Sequence, residues 1–128
     1  MLKVDDDIPY INKPWGYERI FAHTDQYVGK YIYVQAGNRL SLQYHESRDK
    51  TISVLSGPLI LEVGLAEEEE MLTLALVEGE AYHVTSGTIH RFSAPPDSDV
   101  ELIEVGTPNL SDVIRIEDDH GRTPQICA

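Results

Sequence analysis

From residue 39 to residue 45 the chain reads Arg-Leu-Ser-Leu-Gln-Tyr-His, a strict alternation of polar and apolar side chains that follows Ala36-Gly37-Asn38. Period two is the period of a strand, and it sends Leu40, Leu42 and Tyr44 to one face and Arg39, Ser41, Gln43 and His45 to the other. Strand-like runs recur at residues 31–35, 51–55, 59–63, 71–77 and 100–105. They are cut by turn formers at Ser56-Gly57-Pro58, Glu78-Gly79-Glu80, Thr85-Ser-Gly-Thr88 and Pro95-Pro-Asp-Ser98. A chain so divided makes many short antiparallel strands and almost no helix, and about eight or more of them favour a closed all-β barrel or jelly roll over an open sheet. Residues 59–63 are expected to return against 51–55 as a hairpin, and the acidic run Glu67 to Glu70 to form the solvated tip of the next one.

The chain has 128 residues, which suits a single domain over residues 1–128 with its core between about 13 and 122. Ten Lys and Arg against 22 Asp and Glu give a formal charge of −12, which opposes nucleic acid and anionic membrane surfaces as partners. A locally basic pocket can still take a small anion. The one cysteine, Cys127, has no intramolecular partner, so no disulfide framework supports the fold. No apolar stretch approaches the roughly 20 residues that span a bilayer. The expectation is a cytoplasmic protein.

Two glycine-bracketed segments carry the candidate chemistry. In the first, Gly37 to Gly57, Gln43 and His45 are two residues apart and leave the same face of a strand. In the second, His90 follows the turn at Gly87, and closing a barrel brings it opposite the first pair. One carboxamide and two imidazoles are neutral donors that suit Zn²⁺, Fe²⁺, Mn²⁺ or Ni²⁺ without selecting among them. Each of these residues alone reads as an ordinary structural side chain; only the joint spacing points to a metal.

The first segment resembles the first cupin motif, with Gln43 and His45 in the two histidine slots, Lys50 in the glutamate slot and Gly57 at the close. The second resembles the other cupin motif, with Gly79, Thr85 in the proline slot, Gly87, His90, and Ala94 in the asparagine slot. In order along the chain, Lys13-Pro-Trp-Gly16, Leu40-Ser-Leu-Gln-Tyr-His45, Val54-Leu-Ser-Gly57, His90-Arg91, Glu101-Leu-Ile-Glu-Val105 and Ile116-Glu-Asp-Asp-His-Gly-Arg122 resemble type II mannose-6-phosphate isomerases. That family also occurs as the C-terminal isomerase domain of mannose-1-phosphate guanylyltransferase/mannose-6-phosphate isomerase.

The resemblance implies a single-domain cupin, and a metal-dependent isomerase that interconverts mannose 6-phosphate and fructose 6-phosphate through an enediol. It implies Gln43, His45 and His90 as metal ligands and Glu104, which shares the parity of Leu102, as an inward proton carrier. Arg91, Arg39 or Lys30 would hold the phosphate, since cations pair with its oxygens. By analogy with small cupins, a homodimer is expected.

Lys50 departs from the pattern, because an ammonium beside a divalent ion in a low-dielectric barrel is disfavoured. Three outcomes are open. Asp49 or Glu46 replaces the missing carboxylate, with His83 a further candidate; or the three neutral ligands bind metal with water in the gap; or Lys50 is a pocket cation that binds an anion or acts as a base. Function therefore divides between a sugar-phosphate isomerase, a non-catalytic binding module for a small anionic metabolite, and a metal-dependent dioxygenase.

Overall fold

The computed structural model describes residues 8–65 and 70–122. Cys127 and most of the acidic run, residues 67–69, lie outside the described residues. Among those described there is no helix, and none that is long and apolar enough to cross a membrane.

Eleven strands form two antiparallel sheets among the described residues. The first sheet takes β1 (Ile11–Lys13), β2 (Gly16–His23), β3 (Val28–Val34), β5 (Lys50–Ser56), β8 (Ala81–Val84) and β10 (Val100–Gly106), in the order β1-β2-β3-β10-β5-β8. The second takes β4 (Leu42–Tyr44), β6 (Leu59–Leu65), β7 (Leu72–Leu76), β9 (Thr88–Ser93) and β11 (Ile114–Glu117), in the order β11-β4-β9-β6-β7. The fold is a jelly roll. One expectation from the sequence is overturned: β6 does not return against β5. The turn at Ser56-Gly57-Pro58 carries the chain from one sheet to the other, and β6 pairs with β7 and β9 instead.

Between the sheets, Trp15, Ile32, Val34, Ile52, Val54, Leu59, Leu61, Phe92, Val100 and Leu102 make one apolar cluster. Four strands change character along their inner faces. β3 runs from Lys30 to Ile32 and Val34, β5 from Lys50 to Ile52 and Val54, β9 from His90 to Phe92, with Ala94 just past its end, and β10 from Val100 and Leu102 to Glu104. Antiparallel register sets the polar ends together, with Glu104 opposite Lys30 and Gly106 opposite Lys50. One half of the barrel is therefore dry and the other is lined by charge.

Gly106 allows this join. A Cβ there would lie 2.5 Å from the Asp49 carbonyl oxygen and 2.8 Å from the Lys50 Cβ, so only glycine lets β10 lie this close to the start of β5.

A candidate anion-binding site in the barrel

The polar half of the barrel lines an open-mouthed cavity of about 240 Å³. Its lining includes Gln43 and His45 and the cations Lys13, Lys30, Arg48, Lys50, Arg115 and Arg122, against two carboxylates among the described residues, Glu18 and Glu104. In a chain of formal charge −12, the cationic groups are concentrated here.

Glu104 is the hub. Its Oε1 lies 2.9 Å from Lys50 Nζ, and its Oε2 lies 2.9 Å from Arg48 Nη2 and 3.6 Å from Lys30 Nζ. Lys30 also reaches Glu18 Oε1 at 3.2 Å. Burial pushes the Glu104 carboxyl up, but Lys50, Lys30 and Arg48 outweigh it and hold the group well below the usual carboxylate range. Burial lowers the Lys50 pKa, and Glu104 opposes that shift.

His45 and His90 stand together, ring centroids 5.2 Å apart. Their Nδ1 atoms face backbone carbonyls, those of Asp112 at 2.5 Å and Thr88 at 2.9 Å. A carbonyl only accepts, so each Nδ1 carries the proton and each Nε2 keeps a lone pair. Both Nε2 atoms are buried without a hydrogen-bond partner among the described residues. Burial, and then the Lys50 charge, push His45 down to about 4 and His90 down to about 3, so both rings are neutral at pH 7. Gln43 pairs with His90 across β4 and β9, and its Oε1 accepts from Ser41 Oγ at 2.5 Å.

The loop that carries Arg48 is held by one carboxylate. The Asp112 carboxylate accepts from the backbone N–H groups of Glu46, Ser47 and Arg48 at 2.8 to 2.9 Å, while its backbone carbonyl oxygen accepts a hydrogen bond from His45 Nδ1–H. Burial raises the Asp112 carboxyl, but these donors more than offset it and bring it down to about 2.

Gln43, His45, His90, Lys50, Glu104 and Lys30 thus come together. Arg91, Arg39, Asp49, Glu46 and His83 do not join them. Arg91 leaves the opposite face of β9 from His90 and donates to the Leu40 carbonyl oxygen at 3.0 Å, with Glu117 at 3.4 Å. Arg39 meets only an isolated bridge, not a continuous strand, and its exposed guanidinium pairs with Asp119. The Asp49 carboxylate accompanies His83 at 2.9 Å on the outside, and Glu46 is exposed. Arg48, Glu18, Arg115 and Arg122 are cavity residues that the sequence reading did not single out. For Arg48 a signal existed: it shares the parity of Lys50, Ile52 and Val54.

Two sheets closed around such a cavity define a cupin. More narrowly, the chain belongs to the mannose-6-phosphate isomerase C-terminal family, whose profile matches residues 6–118. It is 34% identical over 116 residues to the xanthan biosynthesis protein XanB of Xanthomonas campestris pv. campestris, covering 88% of this chain and 24% of that protein. It is 30% identical over 118 residues to the alginate biosynthesis protein AlgA of Pseudomonas aeruginosa, covering 90% and 23%. The chain therefore spans about a quarter of the length of these curated relatives, at 24% and 23%. The fold matches the capsular polysaccharide assembling protein CapF of Staphylococcus aureus with a TM-score of 0.77 at 17% identity, over 86% of this chain and 34% of that one.

Members of the cupin and phosphomannose isomerase families generally depend on a metal ion. The two free Nε2 lone pairs suit one. The charge around them does not: Lys50 fills the carboxylate slot as a buried cation, and the one carboxylate paired with it among the described residues already serves Arg48 and Lys30. The Lys50 charge acts directly on both rings, lowering the pKa of His45 and of His90, and it repels a divalent ion held between them in the same way. Among the described residues, no group of three His, Cys, Asp or Glu side chains is arranged to hold a metal. While Lys50 is charged, the donor set does not fit a divalent ion.

Proposed function

We propose that this domain binds a phosphorylated hexose in its barrel and interconverts the aldose and ketose forms. The observation that carries the reading is the apposition in one cavity of a buried ammonium, Lys50, and a neutral imidazole with an unused lone pair, His45. Aldose–ketose exchange needs a positive group at the carbonyl oxygen and a base for the carbon-bound proton. Lys50 donates a hydrogen bond to O1 of the open-chain aldose, and His45 Nε2 takes the proton from C2. The C2–H electrons become the C1–C2 double bond, and the carbonyl π electrons take a proton from the Lys50 ammonium at O1 to give the enediol and a neutral amine. Protonated His45 returns its proton to C1 while the O2 proton passes to the Lys50 amine, which gives the ketose and restores both groups. Glu104 holds Lys50 in place. The family and the cationic lining support a phosphosugar as substrate.

A second reading, binding without turnover, is favoured by one observation: His45 titrates near 4, which makes it a weak base, and Glu104 is tied by three cations. The test is exchange of the C2 proton of mannose 6-phosphate into deuterated water, followed by NMR in the presence of EDTA, beside calorimetric binding. Exchange that Lys50→Met and His45→Gln abolish supports isomerisation. Binding without exchange supports the second reading, and absence of both overturns the phosphohexose assignment.

The homodimer belongs to the same reading. The exposed outer face of the first sheet, with Phe21 tilted against Tyr31 and Leu55 and Val105 open, suits a second copy. Light scattering on the eluting protein measures it.

A further inference from the structure

The phosphate holders expected from sequence include Arg91 and Arg39, and neither lines the cavity. Three other cations line it: Lys13 at the end of β1, Arg115 on β11, and Arg122 beyond β11. Among the described residues Lys13 and Arg115 make no ion pair, and the Arg115 Nε is buried with no hydrogen-bond partner. Arg122 is held by Asp118, which accepts from its Nε at 2.7 Å and its Nη2 at 3.0 Å. The Asp118 side chain is sealed from solvent, so it fixes the guanidinium without closing the cavity to an anion. Glu18, the other carboxylate on this side, is engaged by Lys30. Two positive charges remain uncompensated, which matches a phosphate monoester near its dianionic form.

We infer that Lys13, Arg115 and Arg122 form a phosphoryl subsite, separate from the Lys50 and His45 end of the cavity. Register sets the distance between the two ends. Arg115 pairs with Gln43, and His45 lies two residues beyond Gln43, so one strand spacing, roughly 5 Å, across and two residues, roughly 7 Å, along the strand separate Arg115 from His45. An extended hexose with its phosphate on the terminal carbon has that reach. It places the phosphate on Arg115 and the carbonyl end at Lys50. The closeness of two guanidinium groups supports the assignment, since burial and then the Arg122 charge lower the Arg115 pKa. An anion between them relieves that repulsion.

The assignment rests on the phosphohexose reading of the barrel, and the experiment separates the two. Calorimetry is run with mannose 6-phosphate, mannose and inorganic phosphate on the wild type and on Arg115→Gln, Lys13→Gln and Arg39→Gln, with thermal melts to verify folding. Wild type is expected to bind mannose 6-phosphate and inorganic phosphate, each in competition with the other. Arg115→Gln and Lys13→Gln are each expected to lose roughly tenfold or more in both affinities, the weight of one charge-assisted hydrogen bond. Arg39→Gln, outside the cavity, is expected to leave them unchanged. Unaltered affinity in Arg115→Gln and Lys13→Gln overturns the subsite and leaves the barrel reading standing. If the wild type binds neither phosphate nor mannose 6-phosphate, both fall. Lys13 sits on an edge strand, so its variant decides the matter if Arg115→Gln does not fold.

Discussion

Lys50 Nζ and Glu104 Oε1 lie 2.9 Å apart, with side chains 3% and 2% exposed. Removing one charge leaves the other buried. Glu104→Gln strands Lys50 and Arg48 around a neutral amide, while Lys30 keeps Glu18, and a loss of about 3–5 kcal/mol is expected, read by urea denaturation. A double change of Lys50 and Glu104 to Met and Leu should recover much of that loss, because the desolvated pair is removed as a unit. A Glu104→Gln variant as stable as wild type would show that the pair does not hold the barrel together.

Lys50→Glu restores a carboxylate to the slot beside Gln43, His45 and His90. The variant is expected to copurify with, or take up, a divalent ion that the wild type binds at least roughly tenfold more weakly, because the charge near the imidazoles changes by two units. Metal analysis and zinc titration on both proteins measure it. Equal stoichiometric metal in the wild type would contradict the charge argument.

Acid should weaken the fold before any carboxylate of ordinary pKa is neutralised. His45 and His90 titrate near 4 and 3 in the fold, below the usual 6.5 that they regain on unfolding. Between those values the unfolded chain binds more protons than the folded one. The stabilisation is therefore complete above about pH 6.5 and is lost progressively as pH falls through 4 and 3, by an amount on the order of a few kcal/mol. Melting temperatures from pH 7 to pH 4 test this. A His45→Gln, His90→Gln double variant should show a flatter profile over that range.

Asp112 joins two jobs that a mutation can separate. Asp112→Ala keeps the carbonyl that orients His45 but removes the carboxylate that gathers three backbone N–H groups. The expected loss is about 1–3 kcal/mol of stability, with faster hydrogen exchange at Glu46, Ser47 and Arg48. Unchanged exchange at those amides would show that the loop is held by other contacts.

Parity made much of the site legible in sequence. The alternation from residue 39 to residue 45 sends Gln43 and His45 inward, and Leu102 carries Glu104 with it. The same rule, applied to His90, already turns Arg91 away. What period two does not reveal is where strands end. Arg39 shares the parity of Gln43, yet β4 begins only at Leu42, so Arg39 escapes the face its neighbours share. β2 was unreadable for a related reason: its inward Glu18 is buried beside Lys30, and a charged residue on a core face erases the apolar alternation. Arg48 and Asp112 meet from positions 64 residues apart, and nothing local in either segment announces the other.

The cationic cavity sits within an acidic protein, and that contrast gives salt two opposing effects on an anionic ligand. At a distance the ligand meets the repulsion of the whole molecule, and screening by salt eases its arrival. Once inside it meets fixed cations that the walls shield from solvent, and there salt competes for the ligand's place. For the anionic ligand proposed above, association and residence are therefore expected to respond to ionic strength with opposite sign.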